Sequence, residues 1–319
     1  MIKIEKYDKE VEDVYFDAVK AVVDDAAYRK KIVNRVKKYM GAAWRNLAEQ
    51  ESDEIFRKWI LADYSEIKKA YLQLSKDEMH KETFKKNGKF KRLYQIYYEA
   101  YNKVRGKTIR MSGLADQKLN VYLVKNSKIK TCPYCNRNYI TARGENVSGA
   151  QLDHFISRSE YPIFALCLYN LVPCCSVCNL TKLTKELEIS PFDSAMDDNS
   201  FTFIPTGILP GEQPAVKIKA KNSQLEQNIK VLHLQEAYDF HSDDLKELVE
   251  LKEMYPETQI SEICDLINGE RRTVGTANLT ATDIRDMVFG KQVPYEEYGK
   301  KPLAKFRHDI LKELGVYTR

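Results

Sequence analysis

The chain has 319 residues, 43% of them hydrophobic, which is enough for two domains or for one compact domain with substantial additions. No apolar run approaches the roughly 20 residues that a membrane-crossing helix needs. The N-terminus, Met1-Ile-Lys-Ile-Glu-Lys-Tyr7, also lacks an apolar signal stretch, so no membrane partner and a cytoplasmic location are expected. Net charge is only +5, but it is uneven: residues 1–110 carry 26 Lys/Arg against 18 Asp/Glu, residues 111–190 carry 9 against 6, and residues 191–319 carry 16 against 22. A basic front and an acidic back suit a nucleic-acid face on one side and a different surface on the other, with ordinary surface variation as the alternative.

From Val11 to Gln50 the pattern predicts one long helix or two. Val14, Phe16, Val19, Val22, Val23 and Ala27 form a stripe of roughly helical spacing, continued by Ile32, Val33, Val36, Tyr39, Met40 and Trp44. A second helical stretch is expected over 52–75, and with no proline in the first hundred residues this part reads as a helical domain with its own core. A third helix, near 81–104, is basic, with ten Lys/Arg and two Glu over 81–110. Its tyrosines Tyr94, Tyr97, Tyr98 and Tyr101 either stack on exposed bases or pack against the first helices, and core packing is the favoured reading. Lys85, Lys86 and Lys89, then Arg105 and Arg110, are candidate phosphate contacts, against the alternative of a solvated face.

Residues 119–124 fit a short strand or a helix. Asn138–Thr141 reads as a strand, Gly144–Gly149 as a turn and Ala150–Asp153 as the returning strand. After Pro191, Phe201–Ile204 and Val216–Ala220 read as a strand pair. Helices are expected over 225–234, 239–254, 260–267, 281–289 and 303–314, with Leu245, Leu248, Val249, Leu251 and Met254 as one packed side.

Six of the seven cysteines fall between 132 and 178, a clustering unlike a disulfide framework. Cys132-Pro-Tyr-Cys135 and Cys175-Ser-Val-Cys178 are two C-x-x-C turns, and such a turn directs two sulfurs toward one point. Four thiolates make a tetrahedral structural zinc site that closes a long loop. Cys174 is an alternative to Cys175, with the poorer spacing. Cys167 and Cys264 read as buried apolar thiols.

Between the pairs stands Leu152-Asp153-His154. Phosphodiester hydrolysis needs an activated water and a divalent cation near the phosphate. His154 is suited to be the general base and Asp153 a hard oxygen ligand. Adjacent residues of an ideal strand point opposite ways, so the pair is expected at a strand end.

The order Leu-Asp-His, Asn170-Leu, then Cys-x-x-Cys-Asn-x-x-Lys resembles the HNH endonuclease family over Cys132–Lys182. Cys-Pro-Tyr-Cys-Asn-Arg-Asn-Tyr with Leu-Asp-His-Phe is similar to HNH proteins of bacterial anti-phage systems, the Septu and retron-associated PtuB-like group. The resemblance implies a ββα-metal core, a strand hairpin and a helix clasping a catalytic metal. It implies His154 as base, Asp153 and Asn179 as metal ligands, and Asn170 as the brace of the active-site loop. Asn179 stands where the family most often has histidine, and that amide favours Mg2+ or Mn2+ over a softer metal. Lys182 is placed to meet phosphate or the leaving group, with a solvated helix lysine as the alternative. Arg137, Arg158 and Lys185 are weaker DNA contacts.

The expected class is therefore α+β, a mainly helical protein with an embedded zinc-stapled ββα-metal nuclease core. The expected divisions are a helical, partly basic 1–112, a nuclease core over 113–192 and an acidic, mainly helical 193–319. The expected function is a metal-dependent DNA endonuclease acting as the effector of anti-phage defence, with one structural Zn2+ and a catalytic Mg2+ or Mn2+. The resemblance also implies a separate ATPase subunit, since the chain has no phosphate-binding loop of its own, and the acidic back is the expected docking surface. Nothing in the pattern sets an oligomeric state. The competing classes are a non-cleaving zinc-stabilised binding module for nucleic acid or protein, and an RNA-cleaving nuclease or toxin.

Overall fold

The computed structural model describes residues 1–39, 52–76, 99–110, 116–209, 211–274 and 277–317. The class is α+β: helices joined by three separate two-stranded antiparallel sheets among the described residues. No helix among them is long and apolar enough to cross a membrane. The chain divides into two compact units, Met1–Asp197 with Gly299–Pro302, and Asp198–Tyr298 with Leu303–Arg319.

In the first unit the stripe takes its two-helix form, and the single stretch expected over 52–75 is broken. The stripe forms Lys9–Val22 and Ala26–Tyr39, and the next stretch forms Ser52–Ile60 and Tyr64–Leu74. Acidic caps make the breaks. The Asp25 carboxylate accepts from the Ala27 N–H at 2.8 Å, and Asp63 caps its helix by accepting from the Glu66 N–H at 3.0 Å. Such side chains satisfy backbone donors that a helix start leaves orphaned. Residues 119–124 settle as part of a helix, Leu119–Lys125, with Val121, Tyr122, Leu123 and Val124 all buried.

The N-terminal helices do not keep a core to themselves, and no unit boundary falls near 112. Residues 161–175 are all buried, and this mostly apolar segment of loop, short 3-10 turns and one four-residue strand has too little regular structure to cover itself. The helices cover it. The Tyr15 hydroxyl donates to the Leu166 carbonyl at 3.0 Å, and the Trp59 indole N–H donates to that of Ile163 at 3.3 Å. The Trp59 and Phe164 rings lie 5.5 Å apart, and those of Tyr64 and Phe155 5.3 Å.

The strand pairing also differs from expectation. Gln151–His154 pairs antiparallel with Leu171–Cys174, His154 opposite Leu171 and Gln151 opposite Cys174. Residues 138–141 contribute only an isolated bridge, Tyr139 to Thr131. Gly149 still sits against residue 141: a Cβ there would come within 2.0 Å of the Thr141 carbonyl oxygen. The turn signal at 144–149 is therefore spent on a close backbone approach, and a distant strand captures the ladder.

The second unit is built on Phe201–Thr206 paired with Ala215–Ala220, in full register from Phe201–Ala220 to Thr206–Ala215. Helices Ser223–Val231, Leu234–Asp239, Ser242–Met254, Glu257–Val274, Ala281–Phe289 and Ala304–Glu313 complete it. Ala281–Phe289 opens on a capping box made by Thr280 and Asp283. Of the side expected to pack in 239–254, Leu245 and Leu248 are buried, whereas Met254 at the helix end is 56% exposed.

Candidate functional site

Two strands and a helix carry the site. Gln151–His154 and Leu171–Cys174 form the hairpin, and Ser176–Lys182 follows at once, with Cys175 at its N-cap. The thiols of Cys132, Cys135, Cys175 and Cys178 are buried and lie within 4.8 Å of one another. The Cys135 and Cys175 sulfurs are 4.0 Å apart. Tetrahedral Zn–S bonds of about 2.3 Å put sulfurs roughly 3.8 Å apart, so four buried thiols at this spacing fit a structural zinc ion.

The groups around the thiols suit the same ion. The Asn138 amide donates to the Cys175 sulfur at 3.4 Å, and the backbone N–H groups of Arg137 and Cys178 approach Cys135 and Cys175 at 3.5 Å. Hydrogen bonds from the thiols of Cys132, Cys135 and Cys178 hold Cys175 well below the ordinary thiol range, while burial pushes Cys132 up. Cys174 stands outside the cluster, opposite Gln151 in the sheet, and so the better-spaced Cys175 is the fourth thiol.

His154 is the last residue of its strand, and Asp153 precedes it. Their side chains leave opposite faces yet both are buried, and both line a cavity of about 500 Å³. The cavity wall also holds Asn179, Arg105, Arg158 and Tyr101.

Asp153 is 4% exposed. One carboxylate oxygen accepts from the Tyr134 hydroxyl at 2.6 Å and the other from the Lys182 ammonium at 3.2 Å. Burial pushes its carboxyl up, against the opposing pull of Lys182 and Tyr134. The His154 Nε2 lies 3.1 Å from the Ala165 carbonyl oxygen. A carbonyl only accepts, so Nε2 carries the proton and Nδ1 keeps the lone pair. The Tyr101 ring packs edge-on against the imidazole at 4.3 Å between centroids. Burial, with the nearby Arg158 charge, drives the His154 pKa down to about 3, so the ring is neutral at cellular pH.

Asn170 is fully buried. Its amide oxygen accepts from the Ile156 N–H at 2.8 Å, and its nitrogen donates to the carbonyls of Ile156 and Phe164 at 3.1 Å. It thereby ties the chain leaving His154 to the loop that carries Ala165. Asn179 is half-buried and donates its amide nitrogen to Gln151 at 2.5 Å, which leaves the amide oxygen to offer a cation.

Lys182 is not where a phosphate contact would be. It is fully buried, and its ammonium donates to the Asp153 carboxylate and, at 2.9 Å, to the His154 carbonyl. An apolar stem on a short helix draws it inward, where two acceptors satisfy it. Of the arginines, Arg158 stacks over Tyr101 at 4.9 Å and donates to Asn102 at 3.1 Å, and Arg105 stands exposed on the same cavity. Arg110 pairs with Asp116 at 3.2 Å, Lys185 lines a separate small pocket beside Glu186, and Arg137 sits at the thiol turn. None of these three lines the cavity. Lys85, Lys86 and Lys89 lie outside the described residues, as do Tyr94, Tyr97 and Tyr98. Tyr101, the tyrosine of that group described here, is packed rather than displayed for base stacking, at 4% exposure.

Three contributors escaped the sequence reading. Tyr134 lay inside the first cysteine turn, where only the thiols were weighed. Gln151 shares a strand face with Asp153, a spacing of two that pointed to it. Asn120 had no signal: it faces the cavity from the Leu119–Lys125 helix, and its buried amide oxygen has no hydrogen-bond partner among the described residues. Comparison of the chain with protein-family models, curated proteins and solved structures gives no match.

Proposed function

We propose that this chain is a metal-dependent endonuclease of the HNH type that hydrolyses DNA phosphodiester bonds, with the four thiols holding a structural zinc. The observation that carries the reading is the shared cavity: Asp153, His154 and Asn179 come to it from a strand–strand–helix unit fastened by the cysteines, and Arg105 and Arg158 line it from neighbouring segments. Two protein oxygens, with water and phosphate completing the shell, suit Mg2+ or Mn2+. Asp153 and the Asn179 amide oxygen would hold that ion, which supplies Lewis-acid polarisation of the phosphate and of the departing oxygen.

The residues do the rest. Arg105 and Arg158 dock the phosphate. Tyr134 and Lys182 fix the Asp153 carboxylate, and Ala165 fixes the His154 ring so that Nδ1 takes a proton from the attacking water. A base whose proton affinity is this low is weak. A phosphate set against Arg158 would lift it in part, because Arg158 is the largest of the repelling charges, while the larger effect of burial remains.

Supercoiled plasmid incubated with pure protein and Mg2+ or Mn2+ should be cut, and EDTA should stop the cutting. Run beside an RNA of similar length, the same assay separates DNA from RNA as substrate. A second reading has one observation in its favour: Asp153 is already paired with Lys182, as in a binding module with no catalytic ion. Stable DNA binding with no cutting in either metal would support that module instead.

A further inference from the structure

The two groups that hold the Asp153 carboxylate come from the first cysteine turn and from the helix that carries Cys178. Tyr134 lies between Cys132 and Cys135, is fully buried, and donates to one carboxylate oxygen at 2.6 Å. Lys182 lies one turn past Cys178 on the Ser176–Lys182 helix and binds the other oxygen. The first turn is itself rigid. The Cys132 N–H donates to the Asn138 carbonyl at 2.9 Å, and the Asn136 N–H donates to that of Cys132 at 2.7 Å. Asn136 closes the turn in the left-handed region, at φ 50°. The Ile2 N–H adds a strut to the Pro133 carbonyl. A carboxylate held by Tyr134 is tied directly to the first turn, and Lys182 ties it to the helix that follows the second.

We infer that Tyr134 is a positioning residue that couples the four-thiol zinc staple to the Asp153 carboxylate. The staple then does more than hold the fold, since it sets where the cation-binding oxygen stands. Loss of zinc, or oxidation of a thiol, would unseat Asp153 through Tyr134. Coupling of this kind is reciprocal: bound zinc stabilises the seated carboxylate by the same free energy with which the seated carboxylate stabilises bound zinc. The functional meaning rests on the proposed nuclease reading, whereas the zinc test below does not.

The test uses zinc-loaded full-length protein in four forms: wild type, Tyr134→Phe, Asp153→Ala and the double variant. The rate of zinc transfer to a chromogenic chelator is measured for each, with thermal melting as the check on folding. Each single variant should lose zinc roughly tenfold faster, the ratio expected when a hydrogen bond to a charged group is lost. The double variant should be no faster than the faster single one, because both changes break the same link. Single variants that hold zinc as wild type does, factors that multiply in the double variant, or a wild type without zinc would each overturn the inference. Should Tyr134→Phe not fold, Asp153→Ala decides alone: zinc loss at the wild-type rate overturns the coupling.

In cleavage, Tyr134→Phe should raise the Mn2+ concentration for half-maximal rate several-fold and leave the rate at saturating Mn2+ little changed. A merely structural tyrosine would lower the saturated rate instead. A wild type that holds zinc in this coupled way but cuts nothing would sink the nuclease reading and leave the coupling standing.

Discussion

Each unit contains a buried lysine–aspartate pair, and the two are nearly matched. Lys182–Asp153 spans 3.2 Å and Lys305–Asp309 3.1 Å, with no side chain above 6% exposure. Burial raises both carboxyls. What differs is where the remaining bonding capacity goes. In the second unit it closes on the fold: Asp309 accepts from the Phe203 N–H at 3.0 Å, and Lys305 also donates to the Asp198 carbonyl at 2.8 Å. In the first unit Asp153 stands in a cavity wall beside His154 and Asn179. A perturbed buried carboxyl therefore does not mark a site by itself. The open wall beside it does.

The comparison breaks most readily at the lysines. Lys305→Met leaves Asp309 buried without its cation and should cost about 3–5 kcal/mol in denaturant unfolding. Lys182→Met should cost less, about 1–3 kcal/mol, because Asp153 can take water or a cation from the cavity. It should also tighten Mn2+ binding, since a competing positive charge is gone. Equal costs for the two variants would show that the cavity makes no difference to Asp153.

A smaller effect distinguishes the pairs by pH. Burial pushes the Asp309 carboxyl up to about 6, from 3.8. The fold thus binds this proton more tightly than the unfolded chain. The resulting stabilisation is complete below about pH 3.8 and is lost as pH rises through about 6. Asp309→Asn should remove that dependence, on the order of 1–3 kcal/mol, from melts compared at pH 4 and pH 7. A pH slope unchanged in the variant would mean that Asp309 is not the titrating group. Smallest of all, Arg158→Gln should weaken DNA binding about evenly across sequences and lower the salt dependence by roughly one phosphate contact. An unchanged salt slope would move the phosphate away from this arginine.

What the sequence made legible was local. Two C-x-x-C turns carry their geometry within four residues each, and they meet in one cluster. Asp153 and His154 are adjacent, and the end of a strand is a property of a few residues. The strand pair 201–206 with 215–220 was readable from clean alternation and a short connection. Distant partners were not readable. The Gly144–Gly149 turn suggested a hairpin closing on 138–141, but the ladder went to 171–174, twenty residues away, where a more apolar strand was on offer. An amphipathic stripe says that a face is buried and not what buries it, so Tyr15 and Trp59 gave no warning of their contacts with 163–166. Lys182 shows the same limit, for its type predicts solvent and only the placement of Asp153 and the His154 carbonyl explains its burial. Asp63 is a cap residue by type, yet the apolar pattern over 52–75 runs on through it and reads as one stretch.

The central claim is that the cavity does chemistry through His154. The most direct measurement is plasmid cleavage in Mn2+ by wild type and by His154→Ala, with zinc content measured on both preparations. General-base loss predicts a fall of about 10²–10⁴-fold in rate with zinc unchanged. Cleavage by a zinc-loaded His154→Ala protein at the wild-type rate would contradict the account.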